Sequence, residues 1–242
     1  MKKIAAFLFI LTFAALIHLS LQISYAEIAS LYTKELNWTN NTLLFLFDRF
    51  LYAALFNVAA YFFLFPLFQF FLNQKNSSKK KWTLQLYLTL PSGEKRDLKT
   101  AIFAGSFLGI VLFFSLLLFT NLSSGEKEPI SFHYNDGKLQ NEIRNRSNAP
   151  ALFVGVSGVI TPILEEIYYR GLLLSFLQGA TAPYIAIFIQ AAFFAISHPP
   201  AIFGFMFYVG SILGILCWRY GVVSSILAHT IYNSLILLNH FF

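Results

Sequence analysis

The stretch from Ala151 to Leu177 is apolar and long enough to cross a bilayer, yet it holds Glu165, Glu166 and Arg170. Lipid offers a backbone no hydrogen-bond partner, so such a segment must be helical. An ionised side chain near the bilayer centre costs at least about 2.5–3.5 kcal/mol, so these groups must face protein rather than lipid. One helix cannot supply that interior. The feature therefore predicts a bundle of membrane helices packed around a polar centre. Glu166 and Arg170 are four apart with the glutamate on the N-terminal side, the favourable order for a pair on one face. Glu165 is turned from Glu166 by about 100°, which predicts one carboxylate held in an ion pair and its neighbour directed elsewhere.

Composition agrees. Of 242 residues, 57% are hydrophobic, 29 are Phe and only 12% are charged, with a mean hydropathy of +0.64. A soluble domain would be about a quarter charged. The expected fold is an all-α polytopic membrane protein. The formal charge of +6 does not point to nucleic acid, because the basic residues concentrate in one loop between spans. That loop, Asn73 to Thr100, carries Lys75, Lys79, Lys80, Lys81, Lys95, Arg96 and Lys99, the pattern of a cytoplasmic loop facing anionic lipid. The single cysteine, Cys217, excludes an intrachain disulfide framework and a cysteine-rich zinc site.

About seven transmembrane helices are expected along the chain. The first apolar run, Ile4 to Ile23, follows Met1-Lys-Lys and ends near Ser24-Tyr25-Ala26, which resembles a signal-peptide cleavage site. The run is long enough to span, and a retained helix is the favoured reading. A Phe-rich second span covers Leu44 to Leu72, with Asp48 and Arg49 at its interfacial start. Within the basic loop, Trp82 to Leu90 alternates like a strand, and Pro91-Ser-Gly93 supplies a hairpin turn. The third span is Ala101 to Thr120, and Asn121 to Asn148 reads as a mixed-charge linker. Four further apolar segments follow, broken at Gly179 to Pro183, at Pro199-Pro200 and at Arg219-Tyr-Gly221. Residues 1–148 are thus expected to form a scaffold and 149–242 the working core. The distribution of Lys and Arg puts the N-terminus and the basic loop in the cytoplasm of a multi-pass plasma-membrane protein, bacterial by this topology.

Two more polar constellations lie in the apolar half. Phe194-Ala-Ile-Ser-His198 ends the fifth span, and His229-Thr-Ile-Tyr-Asn233 places His and Asn one turn apart in the seventh. Gly204, Gly210 and Gly214 are small-residue positions where helices can approach. Singly, each has an ordinary explanation: a membrane His or Asn more often bonds a neighbouring helix than catalyses, and Glu166–Arg170 could be a structural staple. Together, two Glu, two His and an Asn exceed what packing requires. Hydrolysis of a peptide by water needs a base and donors for the oxyanion, and these residue types supply both. No nucleophile elbow is present, so water is the expected nucleophile. Helical rise puts Glu165 about 22 Å from Pro150 and His229 about 12 Å from Gly221, both near mid-depth. His198, about 27 Å from Ala180, fits less well and requires the fifth helix to tilt or to start outside the hydrocarbon.

The motifs Glu165-Glu166-Ile-Tyr-Tyr-Arg170, Phe194-Ala-Ile-Ser-His198 and His229-Thr-Ile-Tyr-Asn233 occur in that order on successive apolar segments. In this the chain resembles the CAAX protease and bacteriocin-processing (Abi) family of intramembrane endopeptidases, which includes the eukaryotic type II CAAX prenyl endopeptidase. The resemblance implies that Glu165 and His198 activate water, that His229 and Asn233 form the oxyanion hole, and that Glu166 and Arg170 orient the site. It also implies a glutamate-dependent mechanism without a cofactor. Zinc held by Glu165, His198 and His229 is the alternative, although no His-Glu-x-x-His helix is present. The implied substrate is a membrane-associated protein or peptide processed at its C-terminus or leader, with a sorting or maturation role on exported proteins as one sub-hypothesis. Two other classes compete: a non-catalytic immunity or adaptor protein of the same fold, and an ion-coupled transporter using the Glu and His residues as a relay. Intact motifs count against the first, and the absence of symmetry between the halves against the second.

Overall fold

The computed structural model describes residues 97–123, 154–198 and 200–241, together with isolated helical positions at 12 and 16. The expectations for the N-terminal segment, the second span, the hairpin and nearly all of the basic loop and the 121–148 linker fall outside these residues. Regular structure in the described residues is entirely helical. Helix α1 is Leu98–Ser123. Helix α2 occupies 154–180, α3 is Pro183–Ile196, α4 is Phe203–Tyr220 and α5 is Val222–Phe241. Among the described residues, three stretches are long and apolar enough to cross a membrane: Leu98–Phe119, Pro200–Tyr220 and Val222–Asn239. The chain is an integral multi-pass membrane protein.

Local sequence explains where the helices stop. Asp97 starts α1, accepting from the Lys99 backbone N–H at 3.1 Å and from the Thr100 hydroxyl at 3.3 Å, which serves donors that a helix start leaves without partners. Pro183 opens α3, where its missing N–H costs nothing. The α3 helix ends at Ile196, just ahead of Pro199-Pro200. At 14 residues it is about 21 Å long, short of a hydrocarbon core of about 30 Å. The depth conflict at His198 came from running a helix on from Ala180. The chain breaks at Thr181 and Ala182, and His198 lies beyond the helix end. Gly221, at φ 91°, turns the chain from α4 into α5, a backbone angle that L side chains rarely adopt.

Helix α2 departs from the single α-helix predicted for Ala151 to Leu177. It runs as π-helical Val154–Ile160, α-helical Thr161–Glu166, π-helical Ile167–Leu174 and α-helical Ser175–Ala180. Pro162 begins the first α segment, where it has no N–H to continue the ladder from the preceding turns. The spacing widens again immediately after Glu166. Wide turns of this kind recur at functional sites.

Two close helix contacts fix the bundle. A methyl added at Gly105 would lie 2.5 Å from the Ser224 carbonyl oxygen, and one at Gly109 would lie 2.7 Å from that of Ala228. The backbones of α1 and α5 therefore touch along a Gly105-Ser-Phe-Leu-Gly109 stripe, which the sequence reading did not single out. On α4, Gly210 packs on Phe194 and Ala191 of α3, and Gly214 packs on Gln190 and Ile187. Gly204, expected to act likewise, faces open space. The core gathers Leu112 and Leu116 of α1, Tyr168, Leu173 and Leu177 of α2, Phe194 of α3, Leu213 and Leu216 of α4, and Ala228 and Tyr232 of α5. Phe103, Phe107, Phe114, Phe188 and Tyr184 point outward, as lipid-facing residues should.

Candidate active site

The polar residues of α2 and α5 meet inside this core. Arg170 Nη1 donates to Glu166 Oε1 at 2.6 Å, and both side chains are fully buried. The predicted pair on one face is present. Arg170 also donates through Nη2 to the Gly210 carbonyl of α4 at 3.3 Å. Its guanidinium carbon lies 4.6 Å from the centre of the Phe194 ring. A cation so placed is compensated on three sides, by a carboxylate, a carbonyl and an aromatic face.

Oxygen Oε1 of Glu166 serves a second partner. His229 Nδ1 of α5 lies 2.9 Å from it, and His229 Nε2 lies 3.7 Å from Glu165 Oε2. Because an ionised carboxylate only accepts, Nδ1 carries the proton in this bond, and the ring is fixed with Nε2 towards Glu165. One imidazole therefore stands between two adjacent carboxylates. The sequence reading, with its 100° rotation, assigned a partner to Glu166 alone. Both glutamates instead converge on His229, since a ring with nitrogens on opposite edges spans that rotation. The two differ in access: the Glu165 side chain is 20% exposed and that of Glu166 is 0%. A gap of 3.7 Å is wider than a direct hydrogen bond.

His198 is half-buried just past the end of α3, with Nδ1 2.7 Å from the Phe194 carbonyl. Its ring centre lies 4.7 Å from that of Phe194, and the centre of His229 lies 5.8 Å from the same ring. Phe194 thus touches both histidines, Arg170 and, at 5.3 Å, Tyr169. It is the hub of the site; the sequence reading used it only as part of the motif with His198 and gave it no role of its own. Its only signal was its spacing from His198. Asn233 follows His229 by one turn on α5 and is half-buried.

Glu165, His198 and His229 do not form a metal-ligating group, and among the described residues no set of three or more His, Cys, Asp or Glu does. The Nδ1 atoms of both histidines are engaged, by Phe194 and by Glu166, an arrangement that orients Nε2 and does not itself bear on ligation.

Comparison with known families agrees with this arrangement. Residues 147–235 match the family model described as Type II CAAX prenyl endopeptidase Rce1-like. That segment is similar to the Rce1-like CAAX proteases over somewhat more than a third of the chain. It contains every residue of the three motifs, and α2 to α5 fall almost wholly within it. The resemblance resting on Glu165-Glu166, Arg170, Phe194, His198, His229 and Asn233 is thereby supported over residues 147–235. No curated protein and no solved structure matches the chain.

Proposed function

We propose that this protein is an intramembrane endopeptidase that hydrolyses a peptide bond of a membrane-associated protein or peptide. The observation that carries the reading is the buried His229 between Glu165 and Glu166 in a CAAX-protease segment. Glu165, the more accessible carboxylate, takes a proton from water, and His198 holds that water through Nε2. The hydroxide attacks the scissile carbonyl carbon. A developing oxyanion is then held by the Asn233 amide N–H and by Nε2–H of His229 as the imidazolium, its Nδ1–H staying on Glu166. Glu165 returns its proton to the leaving nitrogen as the C–N bond breaks. Glu166 and Arg170 keep the His229 ring in place. A low-dielectric interior strengthens each of these interactions.

On this reading residues 149–242 form the catalytic core and 1–148 a transmembrane scaffold, with about seven helices in all. The basic loop at 73–100 and the N-terminus face the cytoplasm of a bacterial plasma membrane, by the bias of Lys and Arg. No metal takes part. Replacement of Glu165 by Gln tests the assignment, because a protein that only binds peptide tolerates the change and a protease does not.

A further inference from the structure

The last carbonyls of a helix have no intrahelical donors. At the end of α3 the Phe194 carbonyl accepts two side-chain bonds, from Ser197 Oγ at 2.7 Å and from His198 Nδ1 at 2.7 Å. A carbonyl cannot donate, so neutral His198 carries its proton on Nδ1 and its lone pair on Nε2. Ser197 is also bonded from another helix: the Tyr169 hydroxyl of α2 donates to Ser197 Oγ at 2.8 Å. Tyr169 follows Glu165 by one helical turn, and Ser197 immediately precedes His198. The bond therefore ties α2 to the end of α3 beside the two groups assigned to water activation. Its direction is fixed, since each hydroxyl has one proton and the chain from Tyr169 through Ser197 must end on the carbonyl. Edge-on contacts to Tyr168 at 4.8 Å and Phe194 at 5.3 Å hold the Tyr169 ring.

We propose that Tyr169 and Ser197 are positioning residues whose hydroxyl chain clamps the end of α3 to α2, setting the distance and angle at which His198 faces Glu165. The inference rests on the proposed roles of those two residues. Satisfying the Tyr169 hydroxyl would not by itself require a partner next to His198, nor a carbonyl shared with the imidazole. Misplacing a reacting group by about 1 Å costs roughly a hundredfold in rate, so a clamp of this kind acts on kcat.

The test uses full-length protein in proteoliposomes and a peptide spanning the cleavage site found by comparing wild-type and Glu165→Gln membranes. Tyr169→Phe keeps both ring contacts and removes only the hydroxyl. Tyr169→Phe and Ser197→Ala are each expected to lower kcat about 10- to 100-fold while KM changes by less than about threefold. Ser197→Thr restores kcat, and the double variant is no slower than the slower single one, because both act through one bond. Nitrogen-15 spectra of histidine-labelled protein, assigned with His198→Gln, show one Nδ1–H tautomer of His198 in wild type and a mixture in both single variants. Wild-type kcat in either single variant, multiplicative losses in the double, or an unchanged His198 spectrum overturns the proposal. The spectrum needs no substrate, so it decides the clamp even if Glu165→Gln retains full processing and the proposed function falls. An inactive Glu165→Gln beside a fully active Tyr169→Phe removes the clamp alone.

Discussion

His229 Nδ1 lies 2.9 Å from Glu166 Oε1, joining two helices across 63 residues of sequence. The same oxygen receives Arg170 at 2.6 Å, so a single buried atom anchors a guanidinium and an imidazole together. Glu166 is thereby committed to holding its neighbours. Glu165, one residue earlier, lies 3.7 Å from the far nitrogen of the ring and keeps part of its surface accessible. The division of labour between the carboxylates in the proposed mechanism follows from this difference.

Arg170→Ala leaves Glu166 and His229 without the cation that compensates them. Breaking one side of a buried pair costs about 3–5 kcal/mol, and a clear fall in the melting temperature in detergent is expected. Replacing both partners with apolar residues of similar size, Arg170→Met with Glu166→Leu, recovers much of that stability without recovering processing. An unchanged melting profile in Arg170→Ala would mean the pair is hydrated.

Gly109 packs against the Ala228 carbonyl, next to His229 in the chain. Gly109→Val must push α1 and α5 apart, at a cost of about 1–3 kcal/mol for overpacking, and it displaces the helix that carries His229. Reduced stability together with reduced processing is expected, while Gly204→Val, at an open position, changes neither. Equal behaviour of the two variants in a thermal and a processing assay would contradict the close contact.

Strong chelators are expected to leave processing intact. The basis is the lack of a ligating trio of His, Cys, Asp or Glu among the described residues. Loss of activity on chelation with rescue by zinc would contradict this prediction and return Glu165, His198 and His229 to the role of ligands.

Much of this site was legible because helical spacing is a short-range property. The Glu166–Arg170 pair is a single-turn contact, and it forms as the sequence predicts. The breaks at Thr181, at Pro199-Pro200 and at Gly221 were legible for the same reason, since proline and glycine act on their own backbone. What the sequence hid depends on pairing between helices. Phe194 becomes a hub only when α2, α3 and α5 are packed, and the meeting of both glutamates on His229 depends on which face of α5 turns inward. The widened turns of α2 were hidden too, because an apolar run has the same composition whether its turns are α or π. Gly105 and Gly109 were readable as a small-residue stripe, but their partner helix was not.

The most direct test compares the protein termini of membranes carrying wild-type or Glu165→Gln protein in the native host. The account predicts uncleaved precursors in the variant that share a terminal motif, from a protein that is folded and present at normal levels. Termini identical in the two membranes would contradict it and move the chain to the non-catalytic binding class.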